Sequence, residues 1–253
     1  MGGKDMKIGA QLYTVRKYCQ DLPSFAQTLQ RVADMGYTTV QVSGTCQYEG
    51  KWLKEELRKN GLQCVITHSG DFFTDLNGLC QKHKEFDCKY LGLGGYEFDV
   101  EDYVAAYEKF VELYKPVTQK IRENGQYFMY HNHHYEFQRF GGMTILQHIA
   151  KDFAPEELGF TLDTFWVQAG GASITEYIEQ LSGRVPCIHL KDFQYDCRYA
   201  PIGEGNIHFE PVIAAAEKAG TQYLLVEQDK CYGEDPFDCL KRSCAYLKAM
   251  GLT

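Results

Sequence analysis

The chain alternates two patterns from end to end, and that alternation leaves few folds open to it. Eight short runs are rich in β-branched and aromatic residues: 7–15 (KIGAQLYTV), 38–43 (TTVQVS), 62–68 (LQCVITH), 89–94 (KYLGLG), 126–133 (QYFMYHNH), 158–163 (LGFTLD), 185–190 (VPCIHL) and 222–228 (QYLLVEQ). Each reads as a strand. Between them lie segments with helical spacing. LPSFAQTLQRVADMG places Phe25, Leu29, Val32 and Ala33 on one face and stops at Gly36. YEGKWLKEELRKNG stops at Gly61, the long segment 100–125 at Gly125 and FEPVIAAAEKAG at Gly220, and DPFDCLKRSCAYLKAMG closes the chain. Pro116, inside the long segment, predicts a kink or a break into two helices.

Strands and helices in strict alternation call for parallel strands joined by right-handed crossovers. With 253 residues the leading solution is a single (β/α)8 TIM barrel over residues 1–253. The runner-up, an open doubly wound sheet, lacks its usual sign, since no G-x-G-x-x-G follows the first strand. A net charge of −8 counts against nucleic acid and anionic membranes as partners. No apolar run approaches the roughly 18 residues of a membrane span. The N-terminus lacks the apolar stretch of a signal peptide, so a cytoplasmic protein is expected. The ten cysteines form no C-x-x-C pair and read as reduced apolar filler. Whether the chain forms a homo-oligomer is left open.

In such a barrel, chemistry gathers at the carboxyl ends of the strands. The third strand ends at His68. The fifth is followed by His131, His133 and Glu136. The sixth ends at Asp163, the seventh carries His189 and the eighth Glu227. A lone histidine at a strand end is more often a hydrogen-bonded filler, and an aspartate there is often a helix cap. All of them at the same end of one barrel is another matter, because carboxylates gathered at one mouth repel unless a cation neutralises them. Glu136, Asp163, His189 and Glu227 therefore make a candidate ligand set for one divalent metal ion. Three oxygen donors and one nitrogen suit Mn2+, Mg2+, Co2+ or Zn2+. Trp166, three residues past Asp163, is a candidate pocket wall.

The segments YHNHHYEF, LDTFWVQAGG, IHLKDF, PIGEGNIHF and VEQD, in this order and at these spacings, resemble the xylose isomerase-like (β/α)8 barrel superfamily. The likeness is to its sugar phosphate isomerase/epimerase branch. It implies Glu136, Asp163, His189 and Glu227 as metal ligands, with His131 and His133 lining a sugar pocket. It implies that Lys191 binds substrate oxygens or orients the metal shell, that Glu204 lies on the loop after the seventh strand, and that His68 is the third-strand histidine. Two positions depart from the pattern: Gln41 stands where relatives often carry glutamate, and Trp166 where they often carry histidine. The function implied is a divalent-metal-dependent isomerase or epimerase of a sugar or sugar phosphate. Glu136 and Glu227 are then the acid–base pair across a planar enediolate. The alternatives are a metal-dependent lyase of the inosose dehydratase type, a 3-keto-sugar-processing enzyme and a non-catalytic sugar-binding protein. Trp166 and the negative charge oppose an apurinic endonuclease.

Overall fold

In a computed structural model, which describes residues 6–99 and 101–253, the eight runs form a closed parallel barrel. Residues 1–5 and Val100, the first residue of the long helical segment, lie outside the described residues. The barrel strands are β1 (Lys7–Gln11), β2 (Thr39–Val42), β3 (Gln63–His68), β4 (Tyr90–Leu93), β5 (Tyr127–His131), β6 (Leu158–Asp163), β7 (Cys187–Leu190) and β8 (Tyr223–Val226). Every strand pairs with its neighbours in sequence, and β8 returns to β1 through Lys7↔Tyr223 and Ala10↔Val226.

Around them run α1 (Leu22–Asp34), α2 (Gly50–Lys59), α3 (Leu76–Glu85), α4 (Tyr103–Glu123) and α5 (Ile145–Asp152). The ring is completed by α6 (Thr164–Ala169), α7 (Ile174–Gln180), α8 (Phe209–Ala219) and α9 (Pro236–Ala249). Aspartates or hydroxyls cap many of the amino ends; Asp21, Asp75 and Asp102 each accept a backbone N–H from the first turn. The glycine that closes α8 sits in the left-handed region, with φ 82° at Gly220, as a C-terminal cap requires.

Two local expectations are corrected. The first run does not continue as strand to residue 15. At Leu12 it turns into a 3-10 helix, Leu12–Tyr18, started by the Gln11 side chain accepting the Tyr13 N–H at 3.2 Å. Pro116 does not break the long helix, because α4 runs through it. The buried face of α4, with Tyr107, Phe110, Tyr114, Val117 and Ile121, is anchored on both sides of the proline. Phe110 packs on Tyr130 and Phe153, and Tyr114 on Phe128 and Phe72.

The two-residue period of a strand separates the faces. Phe128 and Tyr130 of β5 face α4, while Met129 joins Ile66, Cys187 and Leu225 in a smaller buried cluster. Two residues further along those same strands come His68, His131, His189 and Glu227. The cluster is thus the floor on which the polar ends stand.

A buried histidine outside that mouth ties α3 to β3. His83 Nε2 lies 2.6 Å from Thr67 Oγ1 and Nδ1 lies 2.8 Å from the Leu79 carbonyl. Burial, outweighing the hydrogen bond to Leu79, pushes its pKa down from 6.5 to about 4. The unfolded chain therefore binds a proton that the folded chain refuses between these values, and stability is lost as pH falls through that window. Urea unfolding at pH 7 and pH 5 should show the wild type losing about 2 kcal/mol more than His83→Gln. Equal losses in the two proteins would show that His83 is not the titrating group.

Candidate metal centre at the barrel mouth

His131, Asp163, His189 and Glu227, at the carboxyl ends of β5, β6, β7 and β8, offer four donor atoms that all lie within 4.8 Å of one another. All four residues are buried. Register brings them together: Asp163 pairs with His189, and the Glu227 N–H donates to the Leu190 carbonyl at 3.1 Å.

The two imidazoles are oriented from behind. His131 Nδ1 lies 2.9 Å from the Gly94 carbonyl, which only accepts, so this nitrogen carries the hydrogen. Its Nε2 faces Asp163 Oδ2 at 3.2 Å. His189 Nε2 donates to Gln41 Oε1 at 2.7 Å, and the Gln41 amide nitrogen donates to Ser43 Oγ at 3.3 Å. His189 Nδ1 then points at Glu227 Oε2, 2.9 Å away, and Asp163 Oδ2, 3.7 Å away. The 2.9 Å contact is not aligned as a hydrogen bond, and both of its atoms are buried without a hydrogen-bond partner. Each imidazole thus spends its N–H outward and turns its other nitrogen toward carboxylate oxygens. Lone pairs placed so close repel unless a proton or a metal cation stands between them.

Lys191, 2% exposed, supplies one positive charge. Its ammonium lies 2.9 Å from Asp229 Oδ2, 3.4 Å from Asp163 Oδ2 and 3.5 Å from Glu227 Oε2. Burial works to raise the Asp163 and Glu227 pKa values, but Lys191 and the imidazoles outweigh it and hold both well below the usual carboxylate range. Burial works to lower the His189 pKa, but Glu227 and Asp163 outweigh it and raise it to about 9. His189 therefore carries a proton where a divalent cation would otherwise sit. Two nitrogens, two carboxylates, outward N–H bonds and unpartnered inward atoms fit a divalent ion of the Zn2+, Mn2+ or Co2+ type.

The model of the xylose isomerase-like TIM barrel family matches residues 29–250. The chain belongs to this family. No curated protein matches it in sequence. Among solved structures it is similar to a sugar phosphate isomerase/epimerase from Parabacteroides distasonis, with TM-score 0.79 and 20% identity over 98% of this chain and 95% of that one. It is also similar to an L-ribulose 3-epimerase, with TM-score 0.75 and 16% identity over 98% and 94%. A D-allulose 3-epimerase from Methylomonas sp. gives TM-score 0.72 and 13% identity over 96% and 97%. At these identities the structural likeness establishes the shared fold.

Within this xylose isomerase-like barrel the cluster brings together three of the four expected ligands, Asp163, His189 and Glu227. Glu136 is not brought to the cluster; His131 stands there instead. Residues Tyr135–Phe137 form a 3-10 turn that folds Glu136 back. Its Oε1 accepts the Tyr130 hydroxyl at 2.6 Å and its Oε2 the His133 N–H at 2.7 Å. Burial, against these two donors, pushes the carboxyl up to about 8. Glu204 also stands apart, in a surface ion pair 2.7 Å from Arg242.

The remaining expected residues surround the cluster. The His68 ring lies 5.2 Å from His131 and 5.7 Å from His189, and its Nε2 has no partner. His133 stacks on Tyr135 and lies 5.2 Å from Trp166, whose face also meets the Lys191 ammonium at 5.3 Å. Asp163 caps α6 through Oδ1, which accepts the Trp166 N–H at 3.1 Å, while its Oδ2 joins the cluster.

Asp229, the nearest partner of Lys191, was missed, and so was the service of Gln41 to His189. The glycines of β4 and of the segment after it were missed too. A Cβ at Gly92 would lie 2.8 Å from His68 Cδ2, and one at Gly95 would lie 2.8 Å from His133 Cε1. Gly92 in the strand and Gly95 beyond it leave space for neighbouring imidazoles.

Lys191→Met leaves the buried carboxylates of Asp163 and Glu227, and the half-buried one of Asp229, without their ammonium, and a broken buried pair costs about 3–5 kcal/mol. Urea unfolding in EDTA should show a loss of that size, partly recovered on adding Mn2+ or Zn2+. A variant as stable as wild type in EDTA would mean that Lys191 is not what balances the site.

Proposed function

We propose that this protein is a divalent-metal-dependent sugar isomerase or epimerase. One observation carries the reading. Two imidazoles, each anchored through its outer N–H, converge with two carboxylates at the mouth of a barrel whose family is xylose isomerase-like. His131, Asp163, His189 and Glu227 would hold the ion. Such an ion would supply positive charge where the substrate's carbonyl oxygen turns negative as the neighbouring hydroxyl-bearing carbon loses its proton.

The chain's own groups do the rest. Glu227, held ionised beside the Lys191 ammonium, accepts the proton from carbon. Glu136, first considered as its counterpart, is engaged with Tyr130 and His133, so that part passes to His68. Burial and the neighbouring imidazoles hold the His68 pKa well below 6.5, so its ring is neutral. Its unpartnered Nε2 takes or returns a proton. Lys191 gives the same oxygens a second positive neighbour. Trp166 and His133 offer a wall for the sugar's C–H face. Closure of the site among buried side chains excludes water and strengthens each of these electrostatic terms.

Metal titration tests the first half of the reading. Wild type should bind Mn2+ or Zn2+, Asp163→Asn should lose that binding, and Gln41→Leu should weaken it about 10–100-fold by freeing the His189 ring. No metal bound by the wild type would overturn it. Deuterium exchange tests the second half. A panel of ketoses and aldoses in D2O should gain deuterium beside the carbonyl, and Glu227→Gln should slow this by about 10²–10⁴-fold. Loss of water to an unsaturated product would make the protein a lyase; binding without exchange would make it a binding protein.

A further inference from the structure

We propose that the cleft between the β2–α2 and β3–α3 connections seats the far end of the substrate sugar, and that this end is hydroxylated and carries no phosphate. The inference rests on the isomerase or epimerase reading above.

The cleft holds about 420 Å3, within the ~300–1,000 Å3 span of small-molecule sites. Its wall includes His68, the imidazole that stands against His131 and His189. The cleft therefore begins one side chain from the metal cluster. A sugar whose carbonyl lies at the cluster reaches it by passing along the His68 ring.

The lining identifies the chemistry. Ser43, Thr45, Ser69 and Thr74 contribute hydroxyls, and Asp71 and Asp75 contribute carboxylates. Lys82 is the one lysine in the lining, which holds no arginine, and its ammonium lies over the Tyr48 ring at 4.1 Å. Asp75 is partly occupied as the cap of α3, accepting the Gly78 N–H at 2.8 Å. Two carboxylates against one ammonium repel a phosphate dianion, which would also give up its hydration on entering. The same carboxylates and hydroxyls are good acceptors for sugar hydroxyls, which donate.

A second cavity, of about 400 Å3, flanks the cluster on the Asp229 side and carries Arg16, Lys17 and Lys230. It is a poorer phosphate seat than its charges suggest. Arg16 already donates to the Tyr13 carbonyl at 2.7 Å and to the Asp229 carbonyl at 3.2 Å, and the Asp229 carboxylate shares the same wall.

Gly70 gives a clean probe. It lies in the cleft wall with φ −100°, ordinary for any residue, and a Cβ there meets nothing within 4 Å. Gly70→Phe should fold and bind Mn2+ as wild type does while filling the cleft. With the metal-loaded proteins, deuterium exchange is measured for ketopentoses, ketohexoses and the terminal phosphate of each. Wild type should favour the neutral sugar over its phosphate in kcat/KM by at least about tenfold. Gly70→Phe should raise KM for the neutral sugar by about tenfold or more, with a smaller change in kcat.

Equal or better use of the phosphates by wild type overturns the inference, and that comparison needs no variant. An unchanged KM in a folded Gly70→Phe overturns the place assigned to the far end. Exchange with no sugar at all defeats the parent reading, and this inference falls with it.

Discussion

A single buried ammonium, that of Lys191, stands among three carboxylates at the mouth of this barrel, and the chemistry proposed for the site depends on that balance. At an effective dielectric of about 20, unit charges 4 Å apart attract by about 4 kcal/mol, while each buried ion gives up several kcal/mol of hydration. The two terms are of similar size. Small additions of charge therefore decide which protons the site keeps. With His189 protonated, Asp163, Glu227 and Asp229 face two positive groups and one negative charge is left over. A divalent ion in place of that proton brings the charges level. On the proposed reading, metal loading would exchange one cation for another on the His189 lone pair.

The barrel supplies the precision this exchange needs. His131 and His189 are each held from behind, by the Gly94 carbonyl and by Gln41. Gln41 reaches inward just past a register shift between β2 and β3, the kind of irregularity that re-aims a side chain. Its neutral amide suits the task better than a glutamate would. A fourth carboxylate would add to the excess of negative charge around Lys191, whereas an amide orients the imidazole without altering that balance.

Much of this was legible in the residues because strands repeat every two positions. Ile66 and His68, Met129 and His131, Cys187 and His189, and Leu225 and Glu227 are each a floor residue followed by a mouth residue. The eight runs, their order and the glycine stops of the helices follow from the same local rules. The turn at Leu12 was hidden, because it depends on a glutamine side chain capping the backbone ahead of it. The role of β4 and the segment after it was hidden for a different reason. Gly92 and Gly95 act through what they leave out, and an empty position has meaning only once the imidazoles that fill it are located.

The place of Glu136 apart from the cluster follows from the same period. His131 is the last residue of β5 and keeps the inward parity of Met129, whereas Glu136 lies five residues further on, inside a 3-10 turn that erases that parity. Once the chain leaves the strand, spacing no longer says where a side chain points. A carboxylate there binds the nearest donors, here Tyr130 and His133. Where the chain leaves its strand without such a turn, the rule reaches further. Lys191 follows His189 by two residues and Asp229 follows Glu227 by two, and the two side chains meet at 2.9 Å. Extending the inward column one step past β7 and β8 would have found the missed aspartate from the letters VEQD alone. The same extension past β5 passes His133 and never arrives at Glu136, whose position is even where the column is odd.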